Sequence, residues 1–302
     1  MPRPDAAETA RLSEAVGRIL PALERFLRYE GDDRAARDRA KWRAALDVAL
    51  PDRGLGTERV LDLLTTWVIP YGLRNGAPGF SGWITTSPTT TPTVAALAAA
   101  IAGSQRWWVQ PFNHLETVAL GWLAGLLGIP SSWQGTFVSG GSAANIVGLG
   151  AARQYAFERA GIDPARDGLA RQPEWRVYAS SEVHHVVTRA AAVLGLGRRS
   201  VAMLDVDELG RLVPSALERA LDEDARTGIR PIAIVATAGT VNTGAIDPIS
   251  EIADIAEARG IWLHVDGAYD LFGRLDERVA PRYEGLERAG SVAVDPHKWL
   301  AV

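Results

Sequence analysis

Apolar side chains recur at helical spacing near the N-terminus. Leu12, Val16, Ile19, Leu20, Leu23 and Leu27 form one stripe and predict a helix over residues 5–29. Residues 30–45 are heavily charged and read as a solvated stretch. Residues 71–92 are rich in Pro, Gly and Thr and read as irregular loop, although they carry Phe80 and Trp83. From Thr93 onward the pattern changes. Helical segments at 92–102, 113–128, 143–160, 183–194, 214–227 and 248–259 alternate with short apolar strands at 136–139, 176–179, 200–204, 232–236, 262–266 and 291–294. Strands alternating with helices predict an α/β fold, a mostly parallel sheet flanked by helices on both faces. Two parts follow, a helical and extended segment over 1–88 and an α/β domain over 89–302. Ligands of such sheets sit at the carboxyl ends of the strands, so residues just after strands are the first candidates for chemistry.

Composition narrows the chemistry. The 302 residues are 47% hydrophobic and 23% charged, ordinary for a globular chain. The absence of cysteine excludes a disulfide scaffold, a cysteine-held zinc or iron–sulfur site and a thiol nucleophile. A net charge of −4 without any basic block argues against nucleic acid as a partner. The polar, acidic N-terminus lacks the layout of a signal peptide, and the apolar runs at 94–102 and 118–129 are too short or interrupted to span a bilayer. These features predict a cytoplasmic protein with no membrane partner.

Four stretches after strands carry candidate chemistry. In Ser139-Gly140-Gly141-Ser142 a strand meets a Gly-Gly turn and a hydroxyl at a helix start, where free N–H groups and the helix dipole favour a phosphate; a serine that merely caps the helix has the same signature. In Ser181-Glu182-Val183-His184-His185 a histidine can stack on a flat ring or carry a proton, and adjacent helical histidines point about 100° apart, which disfavours a shared metal. Asp266 ends an apolar strand, where a buried carboxylate needs a partner such as a protonated ring nitrogen or an arginine. The last stretch is Asp295-Pro296-His297-Lys298-Trp299. Lys298 and Lys41 are the only lysines among 32 basic residues. Arginine meets most needs for positive charge, but only lysine can form a Schiff base. A phosphate cradle, a stacking histidine, an aspartate for a ring nitrogen and a Schiff-base lysine together are what pyridoxal 5'-phosphate needs. No metal site is read.

These motifs, with Leu115-Glu116-Thr117, Ala236-Thr237-Ala238-Gly239-Thr240, Gly244-Ala245-Ile246-Asp247-Pro248-Ile249 and Trp262-Leu263-His264-Val265-Asp266, stand in an order and spacing that resembles the group II pyridoxal phosphate-dependent amino-acid decarboxylases from about Pro78 onward. The resemblance implies an aspartate-aminotransferase-like large domain with a seven-stranded type of sheet, and a homodimer with active sites at the subunit interface. It implies that Lys298 forms the Schiff base, Asp266 pairs with the pyridine nitrogen, and Ala268 packs near the ring. Gly141, Ser142 and His297 would hold the phosphate with Asp295 close by. Spacing to the Leu194-Gly195-Leu196-Gly197 stretch favours His184 as the stacking residue, whereas counting from Ser181-Glu182 favours His185. The 80–86 loop would line the substrate pocket through Trp83 and Ile84, and the 1–88 segment would add dimer contacts.

Three departures stand out. Val241 replaces a hydroxyl residue of the family, Asp270 adds a charge after the aspartate motif, and the sequence ends four residues past Lys298, from which the family's small C-terminal domain is expected to be absent. The expected reaction is decarboxylation of an L-amino acid to its amine and CO2, with Phe80 and Trp83 favouring an aromatic side chain. Transamination, oxidative deamination and a truncated, non-catalytic protein are the alternatives.

Overall fold

Runs too continuous to alternate with polar residues, such as Ile232-Ala233-Ile234-Val235-Ala236, suit strands covered on both faces. The computed structural model of the chain describes residues 6–29, 35, 37–102, 111–169 and 174–302. It divides into two compact units, Met1–Ser87 and Pro88–Val302.

The first unit is helical. Helix α1 (Ala6–Leu27) packs on α3 (Gly56–Leu63), which runs on into one π turn (Leu64–Val68) and a 3₁₀ turn (Ile69–Tyr71). Arg18 of α1 reaches Asp62 of α3 at 2.8 Å and also pairs with Glu58. Only part of the predicted apolar stripe is covered: Val16, Ile19 and Leu23 are half-buried, and Leu12, Leu20 and Leu27 face solvent. Within the charged stretch read as solvated, α2 (Arg39–Leu46) forms a short helix with no buried residue; residues 30–34 and 36 of that stretch lie outside the described residues.

The second unit begins with α4 (Thr90–Ala102) and α5 (Pro111–Leu126). Both are strongly apolar, yet neither buries a side chain: Trp122 is 71% exposed, and Val94, Ile101 and Leu115 also face outward. Then follow α6 (Gly141–Arg159), the single turn α7 (Pro164–Asp167), β1 (Trp175–Ser180), α8 (Val186–Val193), β2 (Val201–Leu204), α9 (Pro214–Thr227), β3 (Arg230–Thr237), α10 (Ile249–Arg259), β4 (Trp262–Gly267), β5 (Ser291–Val294) and the single turn α11 (Pro296–Trp299). The strands form one all-parallel sheet in the order β2-β1-β3-β4-β5.

Side chains alternate across this sheet. Val177, Ala179, Ala233 and Val235 pack with Leu149 and Ala152 of α6 and Val187 and Ala190 of α8. Tyr178, Ile234, Ala236, Leu263 and Val265 pack on the other face with Leu217 and Leu221 of α9 and Ile252 and Ala256 of α10. Five predicted strands are present. The sixth, residues 136–139, forms no strand, and the sheet has five members among the described residues where the resemblance implies seven. A strand exists only through its neighbour's hydrogen bonds, and here the Phe137 N–H goes to the Glu116 carboxylate instead, at 2.8 Å. No helix among the described residues is long and apolar enough to cross a membrane.

A buried carboxylate fastens the carboxyl end of β3. Asp247, with no exposed surface, accepts the N–H groups of Leu212 and Thr237, each at 2.7 Å. Burial lifts its pKa from 3.8 to about 6, against the opposing pull of those two amides. A raised folded-state pKa means that the unfolded chain releases its proton first as pH rises. Stability therefore falls between about pH 4 and pH 6, by up to about 3 kcal/mol. Asp247→Asn removes this titration but turns an amide NH₂ toward one of the two donors, costing about 1–3 kcal/mol at low pH. Urea unfolding between pH 4 and 7 should show the wild type approaching the variant as pH rises; parallel stability curves would refute the assignment.

Candidate functional site at the carboxyl edge of the sheet

Because all five strands run the same way, their carboxyl ends share one edge. Alternation along β4 places His264 and Asp266 on the face covered by α6 and α8. Asp266 is only 5% exposed and lies in register between Thr237 of β3 and Ala293 of β5. Its Oδ1 accepts the Ala268 N–H at 3.2 Å, the one hydrogen bond the carboxylate receives among the described residues. Beside it, the buried Thr237 hydroxyl has no hydrogen-bond partner among the described residues.

Helix α6 starts at this same edge. Gly140 turns into it with a φ of +121°, a conformation that a β-carbon would strain. No side chain caps the helix, so its opening N–H groups and the positive end of its dipole are free to meet an anion. A Cβ on Gly141 would stand 3.2 Å from the Ala268 Cβ and 3.8 Å from Asp295 Oδ2, which brings Gly141, Ala268 and Asp295 together. Ser142 is exposed on the first turn of the helix.

His184 and His185 precede α8, with ring centroids 4.0 Å apart. The two differ in environment. His184 is half-buried and its Nδ1 accepts the Val186 N–H at 3.3 Å, whereas His185 is exposed. Burial, then the neighbouring His185, pushes the His184 pKa down; Asp266 pulls the other way and Lys298 adds to the fall. His184 thus lies within electrostatic reach of Asp266 and Lys298, in surroundings that favour the neutral imidazole. Lys298, half-buried on α11, forms no ion pair or side-chain hydrogen bond among the described residues. Asp295 caps α11 by accepting the His297 N–H at 3.2 Å. His297 is itself exposed, with Nδ1 3.0 Å from the Val302 carbonyl oxygen.

The remaining expected residues have other settings. Trp83 and Ile84 belong to the first unit. Trp83 is 78% exposed, has a φ of +57° and lies 6.2 Å from the Phe80 ring, while Ile84 is half-buried. Val241 is exposed. Asp270 is half-buried beneath Gly239; its N–H donates to the Ala238 carbonyl at 3.2 Å and its carbonyl accepts the Tyr283 hydroxyl at 2.6 Å. Burial raises the pKa of its carboxyl group. Reasoning from the sequence alone passed over Thr237 and His264. A period of two residues back from Asp266 would have placed His264 on the same face.

The set suits a flat, phosphorylated ring. Gly141 leaves a hollow that a Cβ would fill, the α6 N-terminus offers an anion site, and Asp266 and Thr237 are buried polar groups short of partners.

Comparisons with known proteins agree with this geometry. The pyridoxal-dependent decarboxylase conserved domain matches residues 41–302. The chain is 33% identical to aromatic-L-amino-acid decarboxylase of Bacillus atrophaeus over 262 residues, covering 85% of this chain and 52% of that protein. It is 35% identical to L-2,4-diaminobutyrate decarboxylase of Rhizobium meliloti (strain 1021) over 255 residues, 83% of this chain and 49% of that one. The crystal structure of mouse CSAD superposes with a TM-score of 0.85 at 29% identity, over 98% of this chain and 62% of that chain. The fold is therefore the aspartate-aminotransferase-like one. The chain spans about half the length of the curated relatives it matches. With that conserved domain running through the whole of the second unit, the chain belongs to the pyridoxal-dependent decarboxylase family.

Proposed function

We propose that this chain carries the cofactor-binding part of an L-amino-acid decarboxylase that uses pyridoxal 5'-phosphate. The convergence of His184, Asp266, Lys298 and the uncapped start of α6 on one sheet edge carries the reading. When bound, that cofactor supplies an aldehyde carbon for the substrate nitrogen and a protonated ring that draws electrons from Cα as CO2 leaves.

The protein's share is binding and electrostatics. The N–H groups of α6, with Gly141 and Ser142, hold the phosphate, and Asp295 and His297 bound that corner. Asp266 keeps a proton on the ring nitrogen, because a buried carboxylate favours an adjacent positive charge. His184, held neutral, would stack on the ring, and Ala268 would pack near it. Lys298 would supply the amine that holds the cofactor, an office arginine cannot fill. The resemblance of the 80–86 loop to a substrate-binding segment assigns Trp83 and Ile84 to the substrate side chain; the left-handed backbone at Trp83 is the kind of strain that gathers at functional loops. The exposed apolar faces of α4 and α5 fit a second copy of the chain, giving a homodimer, with the 1–88 segment adding contacts. The absence of cysteine favours a cytoplasmic setting.

The test is product analysis. The purified protein, loaded with pyridoxal phosphate, is offered each of the twenty L-amino acids. Release of CO2 with an equal amount of the matching amine is expected. An oxo acid or aldehyde without the amine would overturn the decarboxylase reading.

A further inference from the structure

Behind the site, a line of buried polar groups runs from β5 to the start of α6. Trp262 Nε1 donates to Ser291 Oγ at 2.9 Å. Ser291 Oγ lies 2.8 Å from His264 Nδ1, and His264 Nε2 lies 3.0 Å from Asn145 Oδ1. Asn145 Nδ2 donates to the Gly141 carbonyl at 2.9 Å. His264 is fully buried and Asn145 almost so.

Donor counting fixes the direction of every link. Tryptophan can only donate, so Ser291 Oγ accepts from it and has its own hydrogen to give. Asn145 spends its NH₂ group on Gly141, which leaves only its carbonyl for His264, and His264 Nε2 must carry the hydrogen. Nδ1 is then bare and receives the Ser291 hydroxyl. One arrangement satisfies all these groups: a neutral His264 protonated on Nε2. A second proton on the ring would leave the Ser291 hydroxyl with nowhere to donate and would place a charge in the core, and burial does push the ring's pKa down. The ring also seats the helix. A Cβ on Gly148 would fall 2.5 Å from His264 Cε1, so α6 rests on the imidazole where only glycine fits.

We propose that His264 is a positioning residue. Locked as the Nε2–H tautomer, it sets through Asn145 the Gly141 peptide that opens α6, and so the aim of the N–H groups at the anion end of the site, in fixed relation to Asp266 two residues along the same strand. This rests on the reading that the α6 N-terminus receives the cofactor's phosphate. It makes phosphate affinity depend on a side chain that never touches phosphate.

The test compares binding of pyridoxal phosphate with binding of pyridoxal, which lacks the phosphate, by absorbance titration of the wild type, His264→Phe and Asn145→Ala. The affinity for pyridoxal phosphate should fall about tenfold or more in both variants while that for pyridoxal changes little. Equal losses for both ligands would show a merely structural role and overturn the proposal, as would no loss for either. If the wild type binds neither ligand, the cofactor reading itself fails and the proposal falls with it. Where a variant does not fold, ¹⁵N chemical shifts of the wild-type His264 ring, recorded without any ligand, decide: a hydrogen on Nε2 is required, and a hydrogen on Nδ1 or on both nitrogens refutes the chain of bonds.

Discussion

Lys298→Ala should abolish the visible absorbance band that pyridoxal phosphate raises on the wild-type protein, and Lys298→Arg should abolish it equally. The second variant carries the weight of the test. Arginine keeps the positive charge and much of the length at α11 but cannot add to an aldehyde at neutral pH. The chain offers a built-in control, because its only other lysine, Lys41, is exposed and paired with Asp38 at 2.9 Å. Lys41→Arg should leave the band in place. Borohydride reduction followed by digestion should put the label on the peptide holding Lys298 alone. Turnover, where the wild type shows it, should drop by at least about 10³-fold in Lys298→Ala, the combined loss of covalent capture and of a placed proton carrier. A band that survives in Lys298→Arg would end the assignment.

The largest expected loss of stability lies elsewhere, between β1 and α9. Asp224 is nearly buried. Its Oδ2 accepts the Tyr178 hydroxyl at 2.6 Å and its Oδ1 meets Arg176 Nη1 at 2.6 Å. Tyr178 is fully buried, and burial followed by the Asp224 contact pushes its hydroxyl pKa far up, so it remains a donor. Asp224→Ala strands that donor and leaves Arg176 only the exposed Glu174, at 2.8 Å, while Arg176 Nε has no partner among the described residues. Breaking a buried pair in this way costs about 3–5 kcal/mol, a large share of the roughly 5–15 kcal/mol that holds a domain folded. The neighbouring ion pair of Asp222 on the same helix with Arg259 at the end of α10, at 2.7 Å on the surface, supplies the contrast. Asp222→Ala should cost less than about 1 kcal/mol. Urea unfolding that ranks the two variants together, or in reverse, would defeat this account of the interface.

What could be read in the sequence follows a physical line. The strands at β3, β4 and β5 were legible because a parallel strand covered on both faces leaves an apolar run in the chain itself. Residues 136–139 have a similar run and form no strand, since strand formation depends on a neighbour that composition does not reveal. The charged stretch before Leu46 hid α2, a helix with no buried face to mark it. Lys298 and Asp266 stood out through residue type and position after a strand. The choice between His184 and His185 turned on spacing counted from two ends, and only their unequal burial separates them. Asp247 and His264 were silent for another reason. Their roles are defined by partners far away in sequence, Leu212 for one and Asn145 for the other, and no local pattern encodes such a meeting.

The strand order carries a kinetic consequence. Gly141, His184, Asp266 and Lys298 reach one edge only after β3 and β4 have paired between β1 and β5, so every element of the site depends on contacts between distant stretches of chain. Such topologies fold slowly. During synthesis the reactive amine is the last of these groups to leave the ribosome. The cofactor cannot template the early steps; it can only trap the finished arrangement, by mass action on the folded state. Appearance of the bound chromophore in a refolding reaction would therefore lag behind the recovery of helical signal, and would serve as a clock for completion of the sheet.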